Sequence, residues 1–218
     1  FFILQSSEQG RYPVRFPLLG KYNISNALAA TSAAYALGIN LKKIVHGLER
    51  IKPIPGRLER VDLGQSFTVI IDYAHSDDAL ANVLATLQEI CSGRIITVFG
   101  CGGDRDRSKR PRMGEVASRL SNFVFITTDN PRSEDPQRIA LDIEVGTHRT
   151  GKNNYEVILD RYEAIKKALY FAQPDDFVLI AGKGHENYQI FADRTIPFSD
   201  KEVARNVLTE LKGKWKRS

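Results

Sequence analysis

The chain has 218 residues, 42% of them hydrophobic and 26% charged, with a formal net charge of +5. That is enough to bury one sizeable core, or one domain plus part of another. No apolar run approaches the ~20 residues of a membrane span, no signal-peptide pattern is present, and Cys91 and Cys101, the only cysteines, lack metal-like spacing. These features argue against membrane and disulfide-framework classes and point to a reducing cytoplasm.

The positive charge is spread along the chain. Only Lys212-Gly213-Lys214-Trp215-Lys216-Arg217 forms a basic cluster, which a solvated C-terminus explains, and no recognition motif accompanies it. Nucleic acid is therefore not the expected partner. The chain opens in apolar sequence at Phe1-Phe2-Ile3, and its one methionine is Met113. The expectation is the C-terminal part of a longer protein.

From Gly20 to Gly38 an Ala-rich pattern (Ala27, Leu28, Ala30, Thr31, Ala34, Tyr35) predicts a helix ending at a glycine. Asn40 can cap a second helix with Leu41, Ile44, Val45 and Leu48 on one face. Lys52-Pro53-Ile54-Pro55-Gly56 cannot continue a helix and marks a domain boundary. Thr68–Asp72 reads as a strand. Ser76 then caps a helix carrying Leu80, Val83, Leu84, Leu87 and Ile90, with Asp77 and Asp78 at its positive end.

Ile95–Phe99 is the next strand, followed by a long polar loop. A helix with Pro111 in its first turn buries Met113, Val116, Ala117 and Leu120, and leads to a strand over 123–128. After Pro136 comes a helix with Ile139, Ala140 and Ile143, then a short strand over 155–159. Asp160 and Glu163 read as a capping box opening a helix with Ile165, Ala168 and Leu169. Phe177–Ala181 is a fully apolar strand, 188–198 alternates like a hairpin, and Ser199 with Glu202 opens a last helix carrying Val203, Val207, Leu208 and Leu211. Helices alternating with strands apolar on both faces predict an α/β, Rossmann-like parallel sheet covered by helices on both faces.

Four loops leave the carboxyl ends of these strands, where open α/β sheets bind ligands. They are Asp72-Tyr73-Ala74-His75-Ser76-Asp77-Asp78-Ala79, the Gly-rich run from Gly100 to Pro111, Thr127 to Pro136, and Gly182-Lys183-Gly184-His185-Glu186. In the third, Asp129 can hold an ammonium and Arg132 can grip a carboxylate through two parallel hydrogen bonds, with Pro131 stiffening the backbone between them. That combination suits an amino acid. The Gly-rich loop is not a G-x-G-x-x-G fingerprint, no G-x-x-x-x-G-K-[ST] phosphate loop occurs, and the histidines make no zinc pattern.

Five segments together resemble the C-terminal half of the Mur ligase family. They are Gly20 to Ala27, Ile54-Pro55-Gly56-Arg57-Leu58-Glu59, Asp72-Tyr73-Ala74-His75, Gly100 to Pro111, and Asp129-Asn130-Pro131-Arg132 with Gly182 to Glu186. They occur in the family's order, and they are closest to the branch that adds the third residue of the peptidoglycan stem peptide. Enzymes of this family use ATP to turn a carboxylate of a UDP-linked muramoyl peptide into an acyl phosphate, which the amine of an incoming amino acid attacks.

The resemblance implies ATP contacts from Asn26 (adenine), Arg57 (phosphates on domain closure), Asp72 (ribose) and His75. It implies an amino-acid pocket of Arg105, Asp129, Asn130, Pro131, Arg132, Gly182 and Glu186. Lysine would leave Arg132 unpaired, at ~2–5 kcal/mol for a buried charge, and family members with Arg at this place add meso-diaminopimelate. The implied domains are 1–52, the tail of the central ATP-binding domain, and 53–218, the amino-acid-binding domain. The family's phosphate loop, Mg2+ ligands, modified lysine and UDP-sugar domain fall upstream of residue 1, so no catalytic residue and no metal ligand is expected here, and the chain alone should be inactive.

The implied partners are meso-diaminopimelate, UDP-N-acetylmuramoyl dipeptide and ATP, with no membrane and a monomeric state. Ser76-Asp77 stands where relatives often have Thr-Pro, read as a benign change of helix start. Ser199-Asp200 resembles the family's late Ser-Asp pair and should serve the last helix cap. The alternatives are a lysine-adding homologue, a folylpolyglutamate synthase relative, or a non-catalytic Rossmann-like binding module.

Overall fold

The computed structural model describes residues 1–6, 10–52 and 54–215, apart from the side chains of residues 21, 22, 214 and 215. Pro53 of the expected boundary, and Lys216 and Arg217 of the basic cluster, lie outside the described residues. The chain divides into two compact units, Phe1–Ile54 and Pro55–Ser218.

The first unit opens with a hairpin that the sequence reading did not foresee, β1 (Phe2–Ser6) antiparallel to β2 (Gly10–Val14). Two helices follow, α1 (Lys21–Ala36) and α2 (Leu41–Glu49). Asn40 caps α2 by accepting from Lys42 N at 2.8 Å. The expected stripe of α2 is buried with Leu4, Val14 and Ala27. On α1 the expected pattern is thinner than predicted, because Leu28 is exposed.

The second unit is built on a six-stranded sheet of order β3-β4-β8-β5-β6-β7. Its strands are β3 (Glu59–Val61), β4 (Thr68–Asp72), β5 (Ile95–Phe99), β6 (Phe123–Ile126), β7 (Tyr155–Val157) and β8 (Phe177–Ala181). Five of them run parallel. The unforeseen edge strand β3 pairs antiparallel with β4, so the sheet is mixed and mostly parallel. β6 and β7 each end two residues before their predicted limits, where the chain turns into the site loop and the next cap.

Alternation along the strands divides the core. Val69, Ile71, Val98, Phe125, Val178 and Ile180 meet α6 (Arg161–Phe171) and α7 (Asp200–Trp215) on one face. Ile70, Val124, Ile126 and Leu179 alternate to the other face and are equally buried. There α3 (Asp77–Gln88), α4 (Lys109–Leu120) and α5 (Pro136–Arg149) pack side by side. α4 starts two residues before Pro111, and its Leu120 is only half-buried; Ile90 lies beyond the end of α3 and is exposed.

Caps follow the sequence closely. Ser76 accepts from Ala79 N, and Asp160 from Glu163 N at 3.0 Å. The predicted hairpin is β9 (Tyr188–Ile190) against β10 (Thr195–Pro197). Among the described residues no helix is long and apolar enough to cross a membrane.

Topology places the site. The chain runs outward from β4 to β5, β6 and β7, then returns through α6 to insert β8 between β4 and β5. The four parallel strands β4, β8, β5 and β6 are therefore neighbours, and their carboxyl ends deliver all four charged loops to one edge. This is the switch point where open α/β sheets form a binding crevice.

Candidate amino-acid site

A cavity of about 420 Å³ opens at that edge, and all four loops line it. Tyr73 and His75 come from the β4 loop, Gly100, Cys101, Gly102 and Arg105 from the β5 loop with Lys109 at the start of α4, Asp129, Asn130 and Arg132 from the β6 loop, and Gly182 and Glu186 from the β8 loop, with Tyr188 closing the wall. Two clefts of about 800 Å³ lie elsewhere on the same unit, but neither gathers charges of both signs from four loops.

The β5 and β6 loops interlock. Gly103 N donates to Asn130 O at 2.9 Å, and Arg132 Nη1 donates to Gly103 O at 2.7 Å. A Cβ at Gly103 would overlap the Pro131 carbonyl, so only glycine permits this approach. Asp104 and Arg132 both adopt left-handed φ values, 54° and 51°, which cost non-glycine residues energy and persist only where the surroundings enforce them.

The enforcing contacts surround the two residues. Asp104 Oδ1 accepts from Ser133 Oγ at 2.6 Å, which holds its carboxyl below the ordinary range. Arg110, fully buried, forks onto both oxygens of Glu134 and onto Asp142. Pro131 is buried in the turn rather than on the cavity wall, and its carbonyl accepts from Glu134 N.

The Arg110 bonds hold the Glu134 carboxyl down at about 2, against the opposing effect of burial. A depressed carboxyl stabilises the fold fully above its ordinary value of 4.5, and that contribution is lost as pH falls through about 2. The Tm of the parent chain should therefore fall more steeply between these values than that of Glu134→Gln. Parallel Tm profiles would show that this latch carries no pH-linked stability.

The sequence-predicted residues divide. Arg105, Asp129, Asn130, Arg132, Gly182 and Glu186 converge on the cavity, and His75 lies on its wall. Among the described residues Arg132 Nε and Nη2 make no hydrogen bond, which leaves one edge of the guanidinium for a carboxylate. Arg57 stands over the Tyr73 ring with its guanidinium carbon 5.1 Å from the centroid, and Tyr73 also contacts the His75 and His185 rings.

Asp72 does not reach the cavity wall. Its two oxygens accept from Leu58 N and Ala74 N, each at 2.8 Å, and burial pushes its carboxyl up from the ordinary value against those bonds. Asn26 belongs to the first unit, where Nδ2 donates to Asn23 Oδ1 at 3.3 Å.

Several residues of the site escaped the sequence reading. Lys183 is fully buried beneath Asp129, Asn130 and Glu186; its signal was a cation between two glycines. Gln189 Nε2 donates to Asp129 O at 2.8 Å. Arg161 donates to Thr128 O and Ala181 O, joining the ends of β6 and β8, and forks onto Asp200. Asp200 was expected to serve the last helix cap. Arg161 claims both its oxygens instead, and capping is left to Ser199, which accepts from Glu202 N at 3.4 Å. Cys101 lines the cavity, but burial foremost and the Asp129 charge push its thiol up to about 12, so it is a neutral wall and not a nucleophile.

Among the described residues no group of three or more His, Cys, Asp or Glu side chains could hold a metal. The arrangement can bind a small zwitterion: carboxylates for an amine, a guanidinium for a carboxylate.

Comparison with known proteins bears on the fold and the family. The Mur ligase glutamate ligase domain matches residues 56–184. A UDP-N-acetylmuramoyl-L-alanyl-D-glutamate–2,6-diaminopimelate ligase of Syntrophomonas wolfei subsp. wolfei is 50% identical over 195 residues, which cover 89% of this chain and 40% of that protein. The protein of the same name from Solibacter usitatus is 49% identical over 207 residues, 95% of this chain and 42% of its own length. A solved structure of a ligase with this name superposes with a TM-score of 0.74 at 40% identity, covering 96% of this chain and 42% of that one. The chain thus spans about 40% of the length of the curated relatives it matches.

Proposed function

Because this chain belongs to the Mur ligase family, through its glutamate ligase domain, we propose that it is the amino-acid-binding part of an ATP-dependent ligase. In this reading the ligase joins meso-diaminopimelate to UDP-N-acetylmuramoyl-L-alanyl-D-glutamate in cytoplasmic peptidoglycan synthesis. The observation that carries it is the Asp129–Arg132 clamp, which sets a carboxylate and a half-unbonded guanidinium on one latched loop of a four-loop cavity.

The chain's share of the reaction is positional. An amine attacks an acyl phosphate well only if held at the right distance and angle, and a fixed binding frame removes that entropic cost from the reaction step. Asp129 and Glu186 take the ammonium at the far end of the amino acid, and Arg132 takes the far carboxylate. The near amine is thereby directed out of the cavity toward the acyl phosphate. Arg105 and Lys109 add positive charge along the same wall. Arg57 and His75, beside Tyr73, are placed in this reading to meet ATP. Asn26 meets its adenine, residues 1–52 being the tail of the ATP-binding domain and 53–218 the amino-acid-binding domain.

Asp72 suits the ribose role less well, since both its oxygens already hold backbone N–H groups. Its present bonds fit it to shaping the β4 loop. In this reading the Mg2+ ligands belong to the rest of the ligase, and no step through a metal is assigned to this chain.

The test is calorimetric titration of the complete ligase with meso-diaminopimelate and, separately, with L-lysine, which lacks the far carboxylate. Arg132→Ala should lower kcat/KM for meso-diaminopimelate by about 30-fold or more, the usual consequence of truncating one partner of a desolvated charge pair. Equal affinity for both amino acids, or an unaffected Arg132→Ala enzyme, would sink the assignment.

A further inference from the structure

Lys183 lies beneath this pocket in a role that the binding reading above does not supply, and the inference made from it rests on that reading. Its side chain is 0% exposed. Burying an ammonium costs several kcal/mol unless every donor is paired, and an ammonium has three donors. All three are used. Lys183 Nζ donates to Asp129 Oδ1 at 3.3 Å, Asn130 Oδ1 at 3.0 Å and Glu186 Oε2 at 3.3 Å. Its partners come from two separate loops, so one buried cation ties the end of β6 to the end of β8.

What the tie leaves over is more telling. Asn130 Oδ1 is occupied by Lys183 and by Ile190 N at 3.0 Å, which turns the amide so that Nδ2 donates to Glu186 Oε2 at 2.9 Å. Glu186 Oε2 thus accepts twice. Among the described residues Asp129 Oδ2 and Glu186 Oε1 make no hydrogen bond to the protein. Each carboxylate commits one oxygen to the buried network and keeps the other unbonded by the protein, and both residues line the cavity. Two carboxylates and one ammonium sum to a single negative charge, which one ligand ammonium neutralises.

We propose that Lys183 is the positioning residue that sets this amine subsite: it orients the two carboxylates and lowers their joint charge, so that the subsite accepts one monovalent ammonium. Without it the carboxylates would face each other with a double charge and no bond between their loops. The effect belongs to amino-acid binding and not to nucleotide binding, because Lys183 Nζ bonds only to groups of the β6 and β8 loops.

The experiment uses the complete ligase and compares Lys183→Met, Lys183→Arg and the double variant Lys183→Met/Glu186→Gln. Lys183→Met should raise KM for meso-diaminopimelate by about 30-fold or more, as expected when one member of a buried charge network is removed, with KM for ATP within about 2-fold. The double variant, whose two changes restore the single negative charge, should recover part of that loss although it carries one mutation more. Lys183→Arg should recover less, since a planar fork does not reproduce three divergent donors.

Thermal unfolding of each variant separates these effects from failure to fold. A folded Lys183→Met enzyme with unchanged KM for meso-diaminopimelate overturns the inference, as does a double variant worse than the single. A parent enzyme that does not use meso-diaminopimelate overturns instead the substrate reading, which the parent alone tests.

Discussion

Replacing Asp200 with alanine is expected to destabilise the folded chain by about 3–5 kcal/mol, the range for breaking a buried ion pair by removing one partner. Arg161 and Asp200 are both 0% exposed and joined by two bonds, Nε to Oδ1 at 2.7 Å and Nη2 to Oδ2 at 2.8 Å. Arg161 is also the first residue of α6, where the helix dipole disfavours a cation. Asp200 and the carbonyls of Thr128 and Ala181 offset that effect. Without Asp200 the guanidinium stays buried beside two carbonyls and an empty space.

The double variant Arg161→Met/Asp200→Leu removes both charges and should recover most of the stability, because apolar isosteres often match a buried pair. It should not recover amino-acid binding in the ligase. The Thr128 carbonyl, one residue before Asp129, loses its donor from Arg161, and the ends of β6 and β8 lose a link. Denaturant unfolding of the parent, Asp200→Ala and the double variant measures the first effect, and titration with meso-diaminopimelate measures the second. An Asp200→Ala cost below about 1 kcal/mol, the level of an exposed pair, would refute the structural role of this ion pair.

Gly146→Ala should be the second severe change. A Cβ at Gly146 would overlap the Pro111 carbonyl oxygen and lie 2.8 Å from Glu115 N. Across the same interface, a Cβ at Gly114 would strike the Ile143 carbonyl. α4 and α5 therefore approach backbone to backbone through two facing glycines. Alanine favours a helix over glycine by about 1 kcal/mol. Separating two packed helices costs more, because the obstacle is backbone that no rotamer change can move. The net expectation is a loss of about 3 kcal/mol or more, at the upper end of overpacking effects.

Gly213→Ala is the internal control. Nothing lies within 4 Å of the added methyl, so only the propensity gain remains and Tm should hold or rise slightly. A Gly146→Ala chain as stable as Gly213→Ala would contradict the close approach. The same displacement would reach the site, since α4 carries Arg110 and the loop before α5 carries Glu134.

Sequence reading went furthest where a residue's task is local. The strands Thr68–Asp72, Ile95–Phe99 and Phe177–Ala181 were legible to the residue, because an apolar run bounded by turn residues needs no partner to be recognised. Caps at Asn40, Ser76 and Asp160 were equally legible, since their bonds span two or three residues. β3 was not. Glu59-Arg60-Val61 has the composition of a polar turn and becomes a strand only because β4 offers it a free edge. The hairpin of β1 and β2 was likewise hidden, since the apolar run Phe2-Ile3-Leu4 is short and its partner strand carries Pro13, which reads against a strand.

The site shows the same division. Asp129, Arg132 and Glu186 were identifiable because their charges sit at strand ends in a motif. Their neighbours Lys183, Arg161 and Arg110 read as ordinary surface cations, yet each is fully buried in the folded chain.

By itself, then, the sequence determined the alternation of elements, the four strand-end loops and the charges they carry, because these depend on local periodicity and on residue chemistry. Only the tertiary structure decided which oxygens of those charges the buried network ties down. Inserting β8 between β4 and β5 brings Lys183 under two carboxylates that lie 54 and 3 residues away in the chain. A buried cation takes its meaning from what surrounds it in space, and spacing along the chain does not encode that.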